Sequence, residues 1–248
     1  MPDGPRETDI HMTDGVISGV REGRPIPAGA KVIDATGLYV LPGAIDVHVH
    51  SRDPGFPDKE DFGTLTAAAA AGGVTTVIDM PNTVPAVDSA GALESKAALA
   101  RSRSRVDFGL WALIRFTSTP EQLAELAFAG ATGFKAYLGY SFSLSRKQVM
   151  HSIAPDDPDL EPPPDYGTLT RLAPAVADLG LPLLVHAEDA GVLHAWNRAN
   201  LLQQPGHEVS RARVIAVARA GQRDSRGQHV LRPESGPDGQ QPQEAQRQ

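Results

Sequence analysis

Short apolar runs alternate with helix-forming segments between residues 42 and 220. Strands separated by helices of this length form βαβ units and a parallel sheet. The predicted strands are one within 42–55, running into a polar turn, and those at 74–80, 106–114, 133–138 and 181–186. The predicted helices are 67–71, 90–101, 166–179, 191–202 and 208–220. A further helix is predicted to begin at a capping box at 118–121 and to end near residue 128. The pattern predicts an α/β protein with about five of the eight units of a (β/α)8 barrel.

Three segments depart from this alternation. Residues 9–40 predict short strands, including 31–34 and 38–41, with turn residues at 14–15 and 36–37. Residues 139–164 predict a loop too long to be a simple connector. Residues 221–248 contain seven Gln and only three aliphatic side chains, which predicts a disordered tail. The predicted organisation is a small β region at 1–41, a barrel region at 42–220 and this tail.

The overall composition limits the classes of function. The 248 residues are 41% apolar and carry a net charge of −7, which is typical of a globular protein without a basic surface for nucleic acid. No apolar run approaches the roughly 18 residues of a membrane span, and the N-terminus does not resemble a signal peptide. Because Cys is absent, any metal must be held by nitrogen and oxygen ligands. We expect a cytoplasmic protein.

The first predicted barrel strand carries two histidines and runs into a polar turn. Its sequence is PGAIDVHVHSRDPG, residues 42–55. Period-2 alternation places Asp46, His48 and His50 on one face of the strand. Two imidazoles on one face can reach the same metal ion, although an isolated His-x-His is more often a pair of ordinary strand residues. The turn residues on both sides of the pair favour a metal site.

Two later strands carry one polar side chain each. Lys135 lies inside GFKAYL, and a lysine directed into a barrel is costly unless it is paired, modified or snorkels from the strand end. His186 follows LPLLV at the carboxyl end of its strand, where barrel active sites collect. Alone, His186 would more often be a packing residue than a ligand.

These motifs together resemble the cyclic amidohydrolases, the family of dihydroorotases, allantoinases, dihydropyrimidinases and hydantoinases. The resemblance rests on residues 42–55 and on AAAAAGGVTTVIDMPNT, GATGFKAYLG and LVHAED, and it covers roughly residues 5–205. It implies a partial (β/α)8 barrel with an N-terminal β-sandwich segment. It also implies a hydrolase that acts on a small cyclic amide and forms homo-oligomers.

The resemblance also implies a metal centre. In the family, a lysine in this motif is carboxylated by carbon dioxide, and the carbamate bridges two Zn²⁺ ions. The implied metal ligands are His48, His50, Lys135 and His186.

The substrate is left open by two further motifs. In dihydroorotases, the arginine of His-x-His-x-Arg and the asparagine of Met-Pro-Asn-Thr hold the substrate carboxylate, which implies Arg52 and Asn82 here. The alternatives are a surface arginine paired with Asp53 or Glu60, and a turn asparagine. The Asp79 that precedes Met-Pro-Asn-Thr is more typical of allantoinases, so allantoin or a hydantoin remains an alternative to dihydroorotate.

The proton-shuttling aspartate of the family is not found in the sequence. It belongs to the last barrel strand. The only aspartate after His229 is Asp238, which lies in SGPDGQQ rather than in a predicted strand. We therefore expect a family member that is truncated at its C-terminus, with a tail that is out of frame or unrelated, and that opens rings poorly. A non-catalytic homologue and a gene fragment are the alternatives.

Overall fold

The computed structural model describes residues 4–23, 25–151, 156–193 and 195, together with the backbone of residues 215–218. Contacts divide the chain into two units, Met1–Gly43 and Ala44–Gln248. None of the helices described is long and apolar enough to cross a membrane.

The first unit contains one β-hairpin. Strands β1 (Ile10–Thr13) and β2 (Val16–Val20) pair antiparallel. Asp14 and Gly15 connect them with φ angles of 53° and 77°, the left-handed pair that a two-residue hairpin turn requires. The predicted strands at 31–34 and 38–41 are wrong, since both segments are irregular. A strand needs a neighbouring ladder, and neither segment has one, so the β-sandwich stays a prediction.

The second unit is built on a six-stranded sheet. Its strands are β3 (Ala44–Val49), β4 (Val74–Asp79), β5 (Asp107–Ile114), β6 (Gly133–Tyr137), β10 (Leu183–His186) and β11 (Ile215–Ala218). Their spatial order is β11-β10-β6-β5-β4-β3. Five of these strands are parallel to one another, namely β3, β4, β5, β6 and β10. This arrangement confirms the predicted βαβ organisation. The sheet is curled, as one contact across its concave face shows. The indole Nε1 of Trp111 on β5 donates a hydrogen bond past β4 to the carbonyl of Val47 on β3 at 2.9 Å.

Four helices follow successive strands of this sheet. They are α1 (Phe62–Ala71), α2 (Ala90–Arg103), α3 (Pro120–Phe128) and α4 (Tyr166–Asp178). Each begins at a side chain that accepts a hydrogen bond from the first turn: Asp61, Ser89, Thr119 and Asp165. The predicted capping box before α3 is shifted by one residue, to Thr119 and Gln122.

Alternation along the strands separates the core from the site. On β6, Phe134 and Ala136 belong to a large apolar cluster that also contains Leu123 and Leu126 of α3 and Leu172 of α4. Lys135 between them is directed to the opposite, concave face. On that face, Trp111, Met80 and Leu184 form a separate small apolar cluster.

Residues 139–164 are not the irregular loop that the sequence predicts. They contain a three-stranded antiparallel sheet of β7 (Ser141–Ser143), β8 (Gln148–Met150) and β9 (Leu160–Glu161). Arg115 fastens this sheet to the end of β5, because its guanidinium bonds Asp88 at 2.8 Å and also bonds Glu161. The same guanidinium lies 4.1 Å above the ring of Phe142.

The C-terminal part differs from the prediction where it is described. The predicted helix at 208–220 is wrong at residues 215–218, which form β11 and pair antiparallel with β10. An apolar run of this length fits either structure, and the free edge of β10 supplies the ladder that makes it a strand. Residues 190–193 are helical, but the rest of the predicted helix at 191–202 lies outside the described residues, apart from 195. The predicted tail at 221–248 also lies outside them.

Candidate active site

The two histidines of β3 lie side by side at its carboxyl end. The ring centroids of His48 and His50 are 5.3 Å apart, and both side chains are half-buried. The strand alternation places them together, as the sequence predicts. The Nδ1 of His50 lies 2.9 Å from the Oδ1 of Asn82, which sits in the turn after β4. Two neighbouring strand ends thus meet at His50.

The environment of His50 favours its neutral form. Burial and, after it, the nearby Arg52 cation together lower the pKa of His50 to about 4, although the hydrogen bond with Asn82 opposes the shift. A neutral imidazole is the form that ligates metal ions.

We expect His50 to stay neutral down to a pH of about 4, while exposed histidines titrate near 6.5. Its folded pKa lies below the unfolded value, so its contribution to stability is complete above pH 6.5 and is lost as the pH falls toward 4. Titration of the metal-free protein by ¹H–¹⁵N NMR of the imidazole nitrogens measures this pKa directly. A midpoint near 6.5 for His50 would contradict the buried, cation-flanked environment.

The second group of polar residues lies on β6 and β10. Lys135 is fully buried, and its Nζ lies 5.0 Å from the ring centroid of Tyr137. The ring of Tyr137 is 5.9 Å from that of His186, at the end of the neighbouring strand. The Nε2 of His186 is 3.1 Å from a carboxylate oxygen of Glu188, without the alignment of a hydrogen bond.

Several atoms of this second group lack partners. Among the described residues, no hydrogen bond is made by the Nζ of Lys135, the hydroxyl of Tyr137, the Nε2 of His186 or either carboxylate oxygen of Glu188. Buried polar atoms are nearly always paired, and each unpaired one costs about 1–3 kcal/mol. Burial also lowers the pKa of Lys135 to about 8. Unpaired donors and acceptors at one strand end are what a polar ligand or ion would complete.

The two groups do not converge on one point through histidine and carboxylate side chains alone. Within the described part of the chain, no three His, Asp or Glu side chains are close enough to hold a metal ion. The reason is topological, since β4 and β5 separate β3 from β6 and neighbouring strands are about 4.8 Å apart. A group that joins the histidines of β3 to His186 has to extend from the strands between them, and β6 carries the buried amino group of Lys135.

The two acids considered as partners of Arg52, which follow it in the sequence, are bonded to other residues. Asp53 pairs with Arg103 at 2.8 Å, and Glu60 accepts a hydrogen bond from Thr64. Both acids therefore have partners other than Arg52. After burial, the Arg52 cation is the second cause of the lowered pKa of His50.

Sequence reasoning missed Tyr137, Tyr140 and Glu188 as members of this region. Tyr140 stacks on Tyr137 and lies 5.1 Å from the ring of His186. The position of Tyr137 could have been found, because a residue two positions after Lys135 shares its strand face. Tyr140 follows the end of β6 and Glu188 the end of β10, so alternation gives no information about either.

Comparison with known proteins agrees with this geometry. Residues 37–153 match the model of the Dihydro-orotase-like family. An allantoinase of Desulfitobacterium hafniense is 39% identical over 193 residues, which are 77% of this chain and 39% of the relative. A dihydroorotase of Methanothermobacter thermautotrophicus is 52% identical over 110 residues, 44% of this chain and 25% of that protein. The L-hydantoinase of Arthrobacter aurescens superposes with a TM-score of 0.68 at 27% identity, covering 82% of this chain and 42% of the hydantoinase.

The chain thus spans about two fifths of the length of the allantoinase and the hydantoinase. The matched part contains the strands that carry both polar groups, in the order and on the face that a partial barrel requires. The motifs, the topology and the relatives agree, and over the matched residues they support a member of the cyclic amidohydrolase family.

Proposed function

We propose that this chain provides a metal centre for the hydrolysis of a small cyclic amide. The observation that carries the proposal is the ε-amino group of Lys135, which is buried on the concave face without a hydrogen-bond partner among the described residues. With a pKa of about 8, part of the Lys135 population is a neutral amine at neutral pH. A neutral amine can add carbon dioxide through a new N–C bond and release one proton to solvent, and the resulting carbamate is an anion with two oxygen ligands.

The neighbouring residues fit such a centre. The nitrogen ligands would be His48, His50 and His186, and a carbamate on Lys135 would add oxygen ligands for two Zn²⁺ ions. Bound divalent metal ions lower the pKa of water and polarise amide carbonyls, which are the two effects that ring opening at neutral pH needs. The Nε2 of His186 supports this assignment, because it lies 3.1 Å from a carboxylate oxygen of Glu188 but makes no hydrogen bond among the described residues.

We further propose that the substrate ring carries a carboxylate, as dihydroorotate does. Arg52 supports this, because a guanidinium at a strand mouth whose acidic neighbours are engaged elsewhere can bind a carboxylate through two hydrogen bonds. Asn82 would hold the same carboxylate from the next strand end. The tyrosines at 137 and 140 and the apolar cluster around Trp111 would exclude water from the ring.

Allantoin is the second candidate substrate, and one observation favours it. The similarity to allantoinases extends over 77% of this chain, compared with 44% for the dihydroorotase of higher identity. Ring-opening assays with both compounds distinguish the candidates. An Arg52→Met variant should weaken only the binding of the substrate that carries a carboxylate.

We expect the full chain, purified with zinc and bicarbonate, to retain Zn²⁺ after gel filtration. Because His48→Ala removes a direct ligand, it should lower the zinc affinity by more than the roughly 10- to 100-fold that loss of an outer-shell partner costs. Elemental analysis and competition with a zinc-binding dye measure stoichiometry and affinity. His11→Ala is the matched control, since His11 belongs to the other unit of the chain. Folded protein without zinc, even after this supplementation, would refute the metal centre.

A further inference from the structure

A buried ion pair lies beneath the loops that carry the candidate site. Lys96 of α2 and Asp79 at the end of β4 have 1% and 0% of their side-chain surface exposed. The Nζ of Lys96 lies 2.6 Å from Asp79 and donates a second hydrogen bond to the carbonyl of Met80 at 2.8 Å. Neither residue belongs to the groups of polar residues described above.

Asp79 also bonds the loop that follows the two histidines. One of its oxygens accepts the backbone N–H of Ser51 at 2.6 Å, and the other accepts the Ser51 hydroxyl at 2.7 Å. The Ser51 hydroxyl also accepts the backbone N–H of Asp53 at 3.3 Å, and the Asp53 carboxylate pairs with Arg103 at the end of α2. The loop is therefore fastened to α2 at two points.

The fastened atoms are immediate neighbours of the functional side chains. Ser51 lies between His50 and Arg52 in the sequence, and Met80 lies two residues before Asn82. A single ammonium group thus holds both chain segments whose side chains meet in the contact between His50 and Asn82.

Stability does not by itself account for this arrangement. A buried ion pair seldom stabilises a fold more than apolar side chains of the same volume would, because both charges lose their hydration. A fully bonded network does fix the geometry of the groups attached to it. Here the attached groups are the two loops of the candidate site.

We propose that Lys96, from α2, and Asp79, from the end of β4, are positioning residues that set the placement of His50, Arg52 and Asn82. The part of this inference that concerns metal affinity rests on the proposed function. The part that concerns the loop does not, and the two are measured separately.

The test uses Lys96→Met in the full chain and two measurements. The first is zinc affinity of the folded protein, which should fall about 10- to 100-fold, as when outer-shell partners of metal ligands are removed. The second is amide hydrogen exchange of Ser51, compared with that of Leu113, whose N–H donates to Val87 at 2.7 Å inside the core. The protection of Ser51 should fall at least tenfold relative to that of Leu113.

A second variant keeps the test informative if the single change prevents folding. Lys96→Met combined with Asp79→Asn removes both charges, so no unpaired charge remains buried, and the same two changes are expected. The matched control is Arg171→Gln, because Arg171 also reaches from a helix to backbone carbonyls after a strand, those of Phe116 and Ser118. This control should leave both measurements unchanged.

The alternative results are distinct. If Ser51 and Leu113 lose protection equally and the folded variant keeps its zinc affinity, Lys96 only stabilises the fold and the inference is overturned. If the natural chain itself binds no zinc, the proposed function fails, and the Ser51 to Leu113 ratio alone decides whether Lys96 positions the loop.

Discussion

Lys135→Met is expected to raise the stability of the metal-free protein at pH 7 while it abolishes tight zinc binding. The ε-amino group of Lys135 is fully buried and unpaired among the described residues, so protonation of this group is unfavourable in the folded state. Its pKa falls from 10.5 to about 8, a difference that corresponds to about 3 kcal/mol at pH 7. Met has a similar length and no charge, so we expect a gain of about 1–3 kcal/mol in the free energy of unfolding.

The pH dependence has a defined sign. The folded pKa of Lys135 lies below the unfolded value, so its destabilisation is complete below pH 8 and disappears as the pH rises toward 10.5. The difference between Lys135→Met and the natural chain should therefore be largest at pH 7 and vanish near pH 10.5. Urea unfolding at both pH values, in chelator and without bicarbonate, measures it.

A matched control for this experiment is Lys147→Met, because Lys147 is exposed. This substitution should leave stability and zinc binding unchanged. A Lys135→Met variant that is less stable than the natural chain at pH 7 would show that the amino group has a partner in solution.

Arg115→Met should have the largest destabilising effect, about 3–5 kcal/mol. Burial lowers the pKa of the Arg115 guanidinium, but the bonds to Glu161 and Asp88 outweigh this effect, so its pKa is raised above the usual value. Its removal leaves two largely buried carboxylates without their cation and takes away the stacking on Phe142. Urea unfolding at neutral pH measures the loss, with Arg146→Met on the exposed surface as control.

The double variant Arg115→Met with Glu161→Gln separates the charge effect from the packing effect. Because Glu161 also accepts hydrogen bonds from the backbone and hydroxyl of Thr117, its amide analogue can keep one of these contacts. We expect the double variant to recover part of the lost stability. A loss below 1 kcal/mol for Arg115→Met alone would mean that the three-stranded sheet of β7, β8 and β9 does not depend on this cation.

The elements that sequence predicted well are those whose signal is local. The strands β4, β5 and β6 are apolar runs bounded by turns and helices, and their limits agree with the prediction to within one residue. The pairing of His48 with His50 follows from strand alternation alone.

The elements that sequence predicted poorly depend on distant partners. β7, with sequence SFS, and β8, with sequence QVM, are too short to give a periodic signal, and they form strands because they pair with each other. Lys96 looks like a surface residue of a helix rich in Ala, Leu, Glu and Lys, and only the docking of α2 on the sheet buries it against Asp79. The ion pair of Lys96 with Asp79 could therefore not be predicted from the sequence.

The order of the sheet has a consequence for how the polypeptide is assembled. Among the parallel strands, each pairs with the next one along the chain, so every step from β3 to β6 closes a loop containing only one helix. Loop closure of this kind carries a small entropic cost and gives rapid pairing. During synthesis, β3, β4, β5 and β6 would therefore emerge in an order in which each new strand can pair with the strand that emerged just before it. β10 comes later, since β7, β8, β9 and α4 must emerge first, so His186 takes its place only after the histidines of β3 have taken theirs.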